Sequence, residues 1–276
     1  KKKRKNKKKK KIKKAKKKKK KKKKKMTIKK ILITGGATRI GAAIAKSLAD
    51  YETIITIHYN RSKGNALKLK KELEDLGSEV HLLKADLNNF NQTQALLKLA
   101  YKKMKGLNCL INNASLFEND SLYNFTDKSF TKHLNINLKA PAILIQNFKK
   151  LLKNSEGNII NIIDQRVEKL TPYFFSYTLS KTSLVTLTKT AAMKLAPNIR
   201  VNGISPGPTL KNSRQSETHF KKQWKSVLLK KKVELENICE GVKFLIKNDN
   251  ITGEIINIDS GQRLAWNTPD IINVKE

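Results

Sequence analysis

Two side chains four residues apart, Tyr177 and Lys181, are the clearest candidates for chemistry in this sequence. On a helix, a spacing of four places both side chains on the same face. A tyrosine hydroxyl titrates at about pH 10, too high for efficient proton transfer at neutral pH, and a nearby ammonium stabilises the phenolate and lowers that pKa. The pair is therefore predicted to act as a general acid that delivers a proton to a substrate.

A glycine-rich turn follows the first predicted strand and suggests a nucleotide site. It runs from Thr34 into a helix that begins at once. A turn this tight lets a pyrophosphate approach the backbone and the positive N-terminal end of the helix. The expected contacts with the nucleotide come from Gly35, Thr38, Arg39, Ile40 and Gly41.

The residues that follow the second strand favour NADPH over NADH. An acidic residue here would accept hydrogen bonds from a free ribose 2′-hydroxyl, but the strand instead ends in His58, Tyr59, Asn60, Arg61 and Ser62. Arg61 and Arg39 can together pair with a 2′-phosphate, at about 1.5–3 kcal/mol for each charge-assisted hydrogen bond. The alternative is that Arg61 is only a solvated surface charge.

The third strand is followed by Asp86 and Leu87, which are expected to lie at the adenine. The Asp86 carboxylate is placed to accept a hydrogen bond from the adenine amino group. The alternative is that Asp86 caps the helix that follows, as aspartate often does.

Short apolar runs alternate with amphipathic segments through the chain, the pattern of a parallel sheet covered by helices. Strands are predicted at residues 31–34, 53–58, 80–84, 108–111, 158–163, 199–204 and 254–258, and helices at 40–50, 63–76, 91–105, 127–153, 175–195 and 235–247. The fold class is therefore α/β, with a Rossmann-type, doubly wound, seven-stranded parallel sheet and helices on both faces. Residues 206–232 are polar, have weak periodicity and follow a strand end, so we interpret them as a substrate loop with a short helix.

The first 25 residues contain 22 Lys or Arg and are predicted to be a disordered extension, with one domain at residues 26–276. Removing those 22 from the 60 basic residues leaves 38 against 22 acidic residues, a net charge of +16. One interpretation of the extension is nucleic-acid or anionic-lipid binding. The other is that it is sequence upstream of a true start at Met26.

Several classes of protein are not expected. No apolar run is long enough to span a bilayer, so a soluble, cytoplasmic protein is predicted. Cys109 and Cys239 have no partner at metal-ligand spacing and are interpreted as reduced structural thiols, and the four histidines are scattered along the chain. No metal site is expected.

The order of these motifs resembles the short-chain dehydrogenase/reductase family. The similarity covers residues 28–266, through the glycine-rich turn, Asn113 and Ala114, Asn137, the Tyr177–Lys181 pair, and Pro206 with Gly207. By this resemblance Asn113, Ala114 and Ile163 lie along the cofactor, and Pro206 and Gly207 close over the nicotinamide. Lys181 would bind the nicotinamide ribose, and Asn137 would hold a water in a proton relay to Lys181. A homotetramer is the assembly that the resemblance implies.

One departure from that family bears on the substrate. Thirteen residues before Tyr177, where the family usually has a serine, this sequence has Asp164. A serine hydroxyl donates to a carbonyl oxygen that gathers negative charge, whereas an ionised carboxylate repels it. Asp164 therefore suits a substrate with N–H groups, or one whose reducible bond is C=N.

With Asp164, three further features resemble those of the pteridine reductases and the related dihydromonapterin and dihydrofolate reductases. They are Arg39 in the turn, His58 to Ser62, and the run Asn113, Ala114, Ser115 and Phe117. In that subgroup the pterin lies against an aromatic ring, a role that falls on Phe117 here, while Ser115 and Arg39 reach the cofactor phosphates or the pterin. The alternative for Phe117 is a core aromatic.

The sequence thus predicts NADPH-dependent reduction of a dihydropterin or folate, with Tyr177, Asp164, Lys181 and Asn137 as the catalytic group. One alternative is a reductase of a carbonyl substrate such as a 3-oxoacyl thioester or a sugar. An alternative of a different class is an NADPH-sensing protein that binds nucleic acid through its lysine-rich extension.

Overall fold

The computed structural model describes residues 29–212 and 214–266. They form a seven-stranded sheet with the order β3-β2-β1-β4-β5-β6-β7, in which every pair of neighbouring strands is parallel. The strands are β1 (Lys29–Ile33), β2 (Thr53–Tyr59), β3 (Glu79–Lys84), β4 (Cys109–Asn112), β5 (Gly157–Ile162), β6 (Ile199–Pro206) and β7 (Ile255–Ile258). The predicted α/β fold, its seven strands and their parallel direction are confirmed.

Helices cover both faces of the sheet. They are α1 (Arg39–Leu48), α2 (Lys63–Asp75), α3 (Phe90–Met104), α4 (Asp127–Leu134), α5 (Ala140–Leu152), α6 (Phe175–Leu195), α7 (Glu217–Lys225) and α8 (Leu235–Lys247). Because side chains alternate along a strand, Ile31 and Ile33 pack on the face covered by α1, α2 and α8. Leu32 packs on the opposite face, against α3 and α5.

The single helix predicted at residues 127–153 is interrupted. A π-helical segment, Asn135–Lys139, separates α4 from α5. Pro141, in the first turn of α5, has no N–H, so the helical bond from residue 141 to the carbonyl of Asn137 cannot form. The wider turn also carries the Asn137 side chain into the interior, where it is fully buried.

Residues 206–232 contain the expected short helix, α7, which begins after Ser216. The Ser216 hydroxyl accepts a hydrogen bond from the backbone N–H of His219 at 3.1 Å and so caps this helix. The lysine-rich extension lies outside the described residues.

No helix in the described ranges combines the length and apolar character needed to cross a bilayer. Within residues 29–212 and 214–266 there is also no cluster of His, Cys, Asp and Glu side chains that could hold a metal ion.

Candidate active site

A cleft of about 1880 Å³ lies at the carboxyl ends of the strands, where the order of the sheet reverses between β1 and β4. Each predicted cofactor or substrate residue contributes to its lining, from the glycine-rich turn to Pro206 and Gly207. Of the predicted catalytic group, Asp164, Tyr177 and Lys181 also line this cleft, whereas Asn137 lies behind its wall. The fold therefore brings residues more than 170 positions apart in sequence, such as Gly35 and Gly207, into one site.

The glycine-rich turn packs so closely against the residues after β4 that larger residues do not fit in it. Gly35 has a φ of +58°, and a Cβ there would lie 2.9 Å from the backbone of Ala114. At Gly41 a Cβ would collide with the Gly35 carbonyl and lie 2.5 Å from Nδ2 of Asn113. Asn113 also holds the turn, since its amide donates to the carbonyls of Thr34 (2.9 Å) and Gly35 (3.0 Å).

The glycine-rich turn and the N-terminus of α1 together form a cradle on the cleft wall, and the helix end has no acidic side chain of its own to occupy it. Its first turn contains no acidic residue, and Thr38 at the cap position makes no side-chain hydrogen bond to the helix. The first N–H groups of a helix have no intrahelical acceptor and attract anions. The cradle therefore fits the pyrophosphate of a dinucleotide.

His58 lies beneath the turn, where it has a structural role that the sequence did not indicate. Its Nδ1 accepts a hydrogen bond from the N–H of Gly35 at 3.0 Å, so Nε2 carries the proton and faces the carbonyl of Ala85 at 3.1 Å. Burial lowers the pKa of His58 to about 4. A neutral imidazole therefore joins the turn to the end of β3.

The two arginines predicted for the 2′-phosphate lie in different settings. Arg61 is exposed on the cleft wall and has no ion pair among the described residues. The guanidinium of Arg39 donates to the carbonyls of Leu210 (3.2 Å) and Lys211 (3.0 Å). Arg39 thus joins the glycine-rich turn to the substrate loop, a contact that was not predicted.

Asp86 does not cap α3, which was the alternative to an adenine contact. The cap is Asn89, whose side chain accepts from the N–H of Gln92 at 3.0 Å. One carboxylate oxygen of Asp86 accepts from the N–H of Asn88 at 2.9 Å, within the turn that leads into α3. Asp86 and Leu87 both line the cleft, and the adenine contact stays a prediction.

Asp164, Tyr177 and Lys181 come together where β5 ends and α6 begins. The Tyr177 hydroxyl donates to Oδ2 of Asp164 at 2.7 Å, and the Lys181 ammonium donates to the carbonyl of Ile162 at 2.7 Å. Lys181 Nζ lies 5.9 Å from the centre of the Tyr177 ring. Both side chains of the helix pair are buried.

The pKa of Tyr177 is shifted in the direction opposite to that expected from its lysine neighbour. Burial raises this pKa well above its ordinary value, and the charge and hydrogen bond of Asp164 raise it further, while Arg166 and Ser115 oppose the shift. Burial also lowers the pKa of Lys181 to about 8, against the attraction of Asp164. At neutral pH, Tyr177 is therefore a protonated hydroxyl and Asp164 is its acceptor.

Asn137 connects the site to the loop that precedes Phe117. Its side chain donates to the carbonyl of Leu116 (2.9 Å) and the hydroxyl of Ser180 (3.0 Å), and accepts from the N–H of Leu116 (2.8 Å) and the hydroxyl of Ser115 (3.3 Å). These bonds use both donors and both lone pairs of the amide. The role of Asn137 in a water relay to Lys181 stays a prediction.

Phe117 is half-buried on the cleft wall, which rules out the core aromatic alternative. Its ring stacks on Phe174 with 4.4 Å between ring centres and meets Tyr177 edge-on at 4.6 Å. Two guanidinium groups flank these rings, those of Arg166 and Arg214. Phe174, Arg166 and Arg214 were not predicted, and the only sequence signal for them is the aromatic run at residues 173–175 just before Tyr177.

Comparison with known proteins agrees with this architecture. A family model described as short chain dehydrogenase matches residues 29–223. A crystal structure of FolM alternative dihydrofolate reductase 1 from Brucella suis in complex with NADP is 41% identical, with a TM-score of 0.84 over 88% of this chain and 98% of that one.

Two curated relatives carry different activities in their names. A 3-oxoacyl-[acyl-carrier-protein] reductase from Buchnera aphidicola is 29% identical over 85% of this chain and 98% of its own length. A dihydromonapterin reductase from an Enterobacter species is 26% identical over 86% of this chain and 97% of its own length. This chain belongs to the short-chain dehydrogenase family and is an oxidoreductase of that family.

Proposed function

We propose that this chain is an NADPH-dependent reductase of a dihydropterin, which it converts to the tetrahydro form. The observation that carries the proposal is the carboxylate of Asp164, 2.7 Å from the hydroxyl of Tyr177. The 41% identity with the FolM dihydrofolate reductase supports it. So does the aromatic ring of Phe117 beside Tyr177.

The cofactor part of the proposal rests on the fit of the cleft. The cradle formed by Gly35, Gly41 and the N-terminus of α1 suits a pyrophosphate, and Arg61 is available for a 2′-phosphate. NADP is also bound in the Brucella suis structure. When bound, the reduced cofactor supplies the hydride that is added to a ring carbon of the substrate.

The residues of this chain supply the proton and the orientation. Hydride addition at the carbon of a C=N bond requires a proton on the nitrogen, and the Tyr177 hydroxyl is the group that would donate it. Asp164, as an anion, accepts hydrogen bonds from N–H groups of a pterin. Burial is the largest cause of the raised pKa of Tyr177, and a substrate that takes over this carboxylate removes a further cause, the hydrogen bond to Asp164, so Tyr177 becomes a better acid.

In this scheme the Lys181 ammonium stabilises the tyrosinate that forms when Tyr177 gives up its proton. It is fixed by the carbonyl of Ile162 and lies beside the Tyr177 ring. There its positive charge stabilises the phenolate that remains after proton transfer. Its predicted contact with the nicotinamide ribose stays a prediction, as do the homotetramer and the cytoplasmic location.

A second candidate is reduction of a 3-oxoacyl thioester, which the Buchnera aphidicola relative favours. In that reaction the negative charge develops on the carbonyl oxygen that faces Tyr177. Asp164 lies at hydrogen-bond distance from the same hydroxyl and would repel this charge. The geometry therefore favours the pterin substrate.

The test is a comparison of substrates with the full chain and NADPH. Oxidation of NADPH is measured with dihydrobiopterin, dihydromonapterin, dihydrofolate and an acetoacetyl thioester. Turnover of at least one dihydropterin well above that of the thioester is expected. Turnover of the thioester alone would refute the pterin assignment and leave the oxidoreductase fold unaffected.

A further inference from the structure

Four side chains form a stack of rings and cations at the substrate end of the cleft. Phe117 and Phe174 lie nearly parallel, at 10°. The Arg166 guanidinium is 4.6 Å from the centre of the Phe174 ring, and that of Arg214 is 5.2 Å from the centre of the Phe117 ring. We call these four residues the arginine–phenylalanine stack. It borders Tyr177 directly, through the edge contact of Phe117.

The two guanidinium groups of the stack have few polar partners. Arg166 donates through Nη1 to the hydroxyl of Thr171 at 3.2 Å, and Arg214 donates through Nη2 to the carbonyl of Phe117 at 3.1 Å. In the described part of the chain neither forms an ion pair, whereas Arg263 pairs with both Glu168 and Asp259. A guanidinium has five N–H donors. Most of the donors in the stack are therefore available to a ligand.

The acidic residues near the stack do not neutralise it. Glu118 pairs with Lys132 at 3.2 Å, and Asp164 is bound to the Tyr177 hydroxyl and to the backbone N–H of Arg166. Both arginines are held against aromatic faces, which fixes the planes of their guanidinium groups. Fixed, unpaired guanidinium groups are suited to planar carboxylates.

We propose that the arginine–phenylalanine stack is a subsite for a substrate tail that joins an aromatic ring to carboxylates, as in the p-aminobenzoyl-glutamate part of dihydrofolate. The inference rests on the proposed function and makes it more specific. The reducible ring lies at Asp164 and Tyr177, the tail ring lies beside the half-buried rings of Phe117 and Phe174, and the carboxylates pair with Arg166 and Arg214. An uncharged hydroxylated side chain, as in dihydromonapterin, would leave both cations unpaired.

The expected preference follows from the strength of these contacts. A charge-assisted hydrogen bond that is lost corresponds to roughly a ten- to hundredfold change in binding. Because Arg214 is exposed to solvent, the effect should lie near the lower end of this range. We therefore expect Arg214→Gln to weaken binding of the acidic tail about tenfold.

The experiment measures the binding of p-aminobenzoyl-glutamate and of its uncharged diamide to the full chain saturated with NADP, by calorimetry. In Arg214→Gln the dissociation constant of the acid should rise about tenfold and that of the diamide much less. Arg166→Gln should have the same selective effect and provides a second variant if the first does not fold. Lys225→Gln, which removes a charge from the same segment outside the cleft, is the matched control and should change neither constant.

Three outcomes separate this inference from the proposed function. The subsite is refuted if the acid binds no more tightly than the diamide, or if Lys225→Gln weakens binding of the acid as much as Arg214→Gln does. Either result would hold whether or not dihydropterins are reduced. If no dihydropterin is reduced but Arg214→Gln weakens the acid selectively, the subsite stands and the proposed reaction is wrong. If only an acyl carrier protein substrate is affected by Arg214→Gln, the cations serve a protein surface and the subsite is refuted.

Discussion

Replacing Asp164 with serine should change the two candidate reactions in opposite directions. The carboxylate accepts a 2.7 Å hydrogen bond from the Tyr177 hydroxyl, and its charge raises the pKa of that hydroxyl. A pterin N–H that takes over this acceptor gains a charge-assisted bond of about 1.5–3 kcal/mol. Its loss should lower kcat/KM for a dihydropterin by roughly 10- to 150-fold.

For a carbonyl substrate the same substitution should be favourable. Serine can donate to the oxygen that gathers negative charge, and the repulsion from the carboxylate disappears. The pKa of Tyr177 should also fall, because a cause of its elevation is removed. We therefore expect turnover of an acetoacetyl thioester to increase by roughly tenfold, the value of one good hydrogen bond.

The assay follows NADPH oxidation with dihydrofolate and with the thioester for the wild type and Asp164→Ser. Glu168→Gln is the control, because Glu168 lies four residues away, outside the cleft, and pairs with Arg263. The control should leave both rates within about twofold, as expected for an exposed ion pair. A parallel rise or a parallel fall of both activities in Asp164→Ser would refute the assigned role of the carboxylate.

Three further predictions concern the cofactor, pH and stability. Arg61→Ser should lower kcat/KM for NADPH by roughly tenfold and leave kcat/KM for NADH unchanged. Equal losses for the two cofactors in steady-state kinetics would exclude a contact between Arg61 and the 2′-phosphate. Since the pKa of Lys181 is about 8, kcat/KM for the substrate should fall as pH rises through that value, and a pH profile that stays flat to pH 9 would contradict the need for its charge. The folded-state pKa of His58 is about 4, below the ordinary value of 6.5. The unfolded chain therefore binds more protons between these two values, and stability is lost as pH falls from 6.5 to 4. The loss is about 3 kcal/mol by linkage, and urea unfolding of His58→Asn should show a weaker pH dependence than the wild type over that window.

The sheet could be predicted from the sequence because its signals are local. The strand β2 contains a short run of β-branched residues, and in α8 the buried Ile238, Val242 and Leu245 recur at helical spacing, so each element can be recognised within its own segment. The break between α4 and α5 could not be found in this way. A π-helical turn keeps a helical pattern on both sides, and its cause is the missing N–H of Pro141 together with the side-chain bonds of Asn137.

The placement of Tyr177, Lys181 and the glycine-rich turn at one cleft was predictable from their residue types and their positions after strands, while their chemical roles stay predictions. The parts that were missed depend on long-range geometry. Arg214 reaches the carbonyl of Phe117 across 97 positions of sequence, and Phe174 lies in a left-handed conformation with a φ of +60°. Neither feature has a periodic pattern, since both are set by how a loop folds over the finished sheet.

The fold by itself does not decide between the two candidate reactions, because relatives that differ in activity match nearly their whole lengths to this chain. The decision rests on one carboxylate. In this site Asp164 disfavours a carbonyl substrate in two ways: its charge repels the developing oxyanion, and its bond with Tyr177 makes that hydroxyl a weaker acid. A pterin, the proposed substrate, would oppose both effects, because its N–H groups would bind the carboxylate and release the hydroxyl. The same residue therefore opposes one reaction and prepares the site for the other.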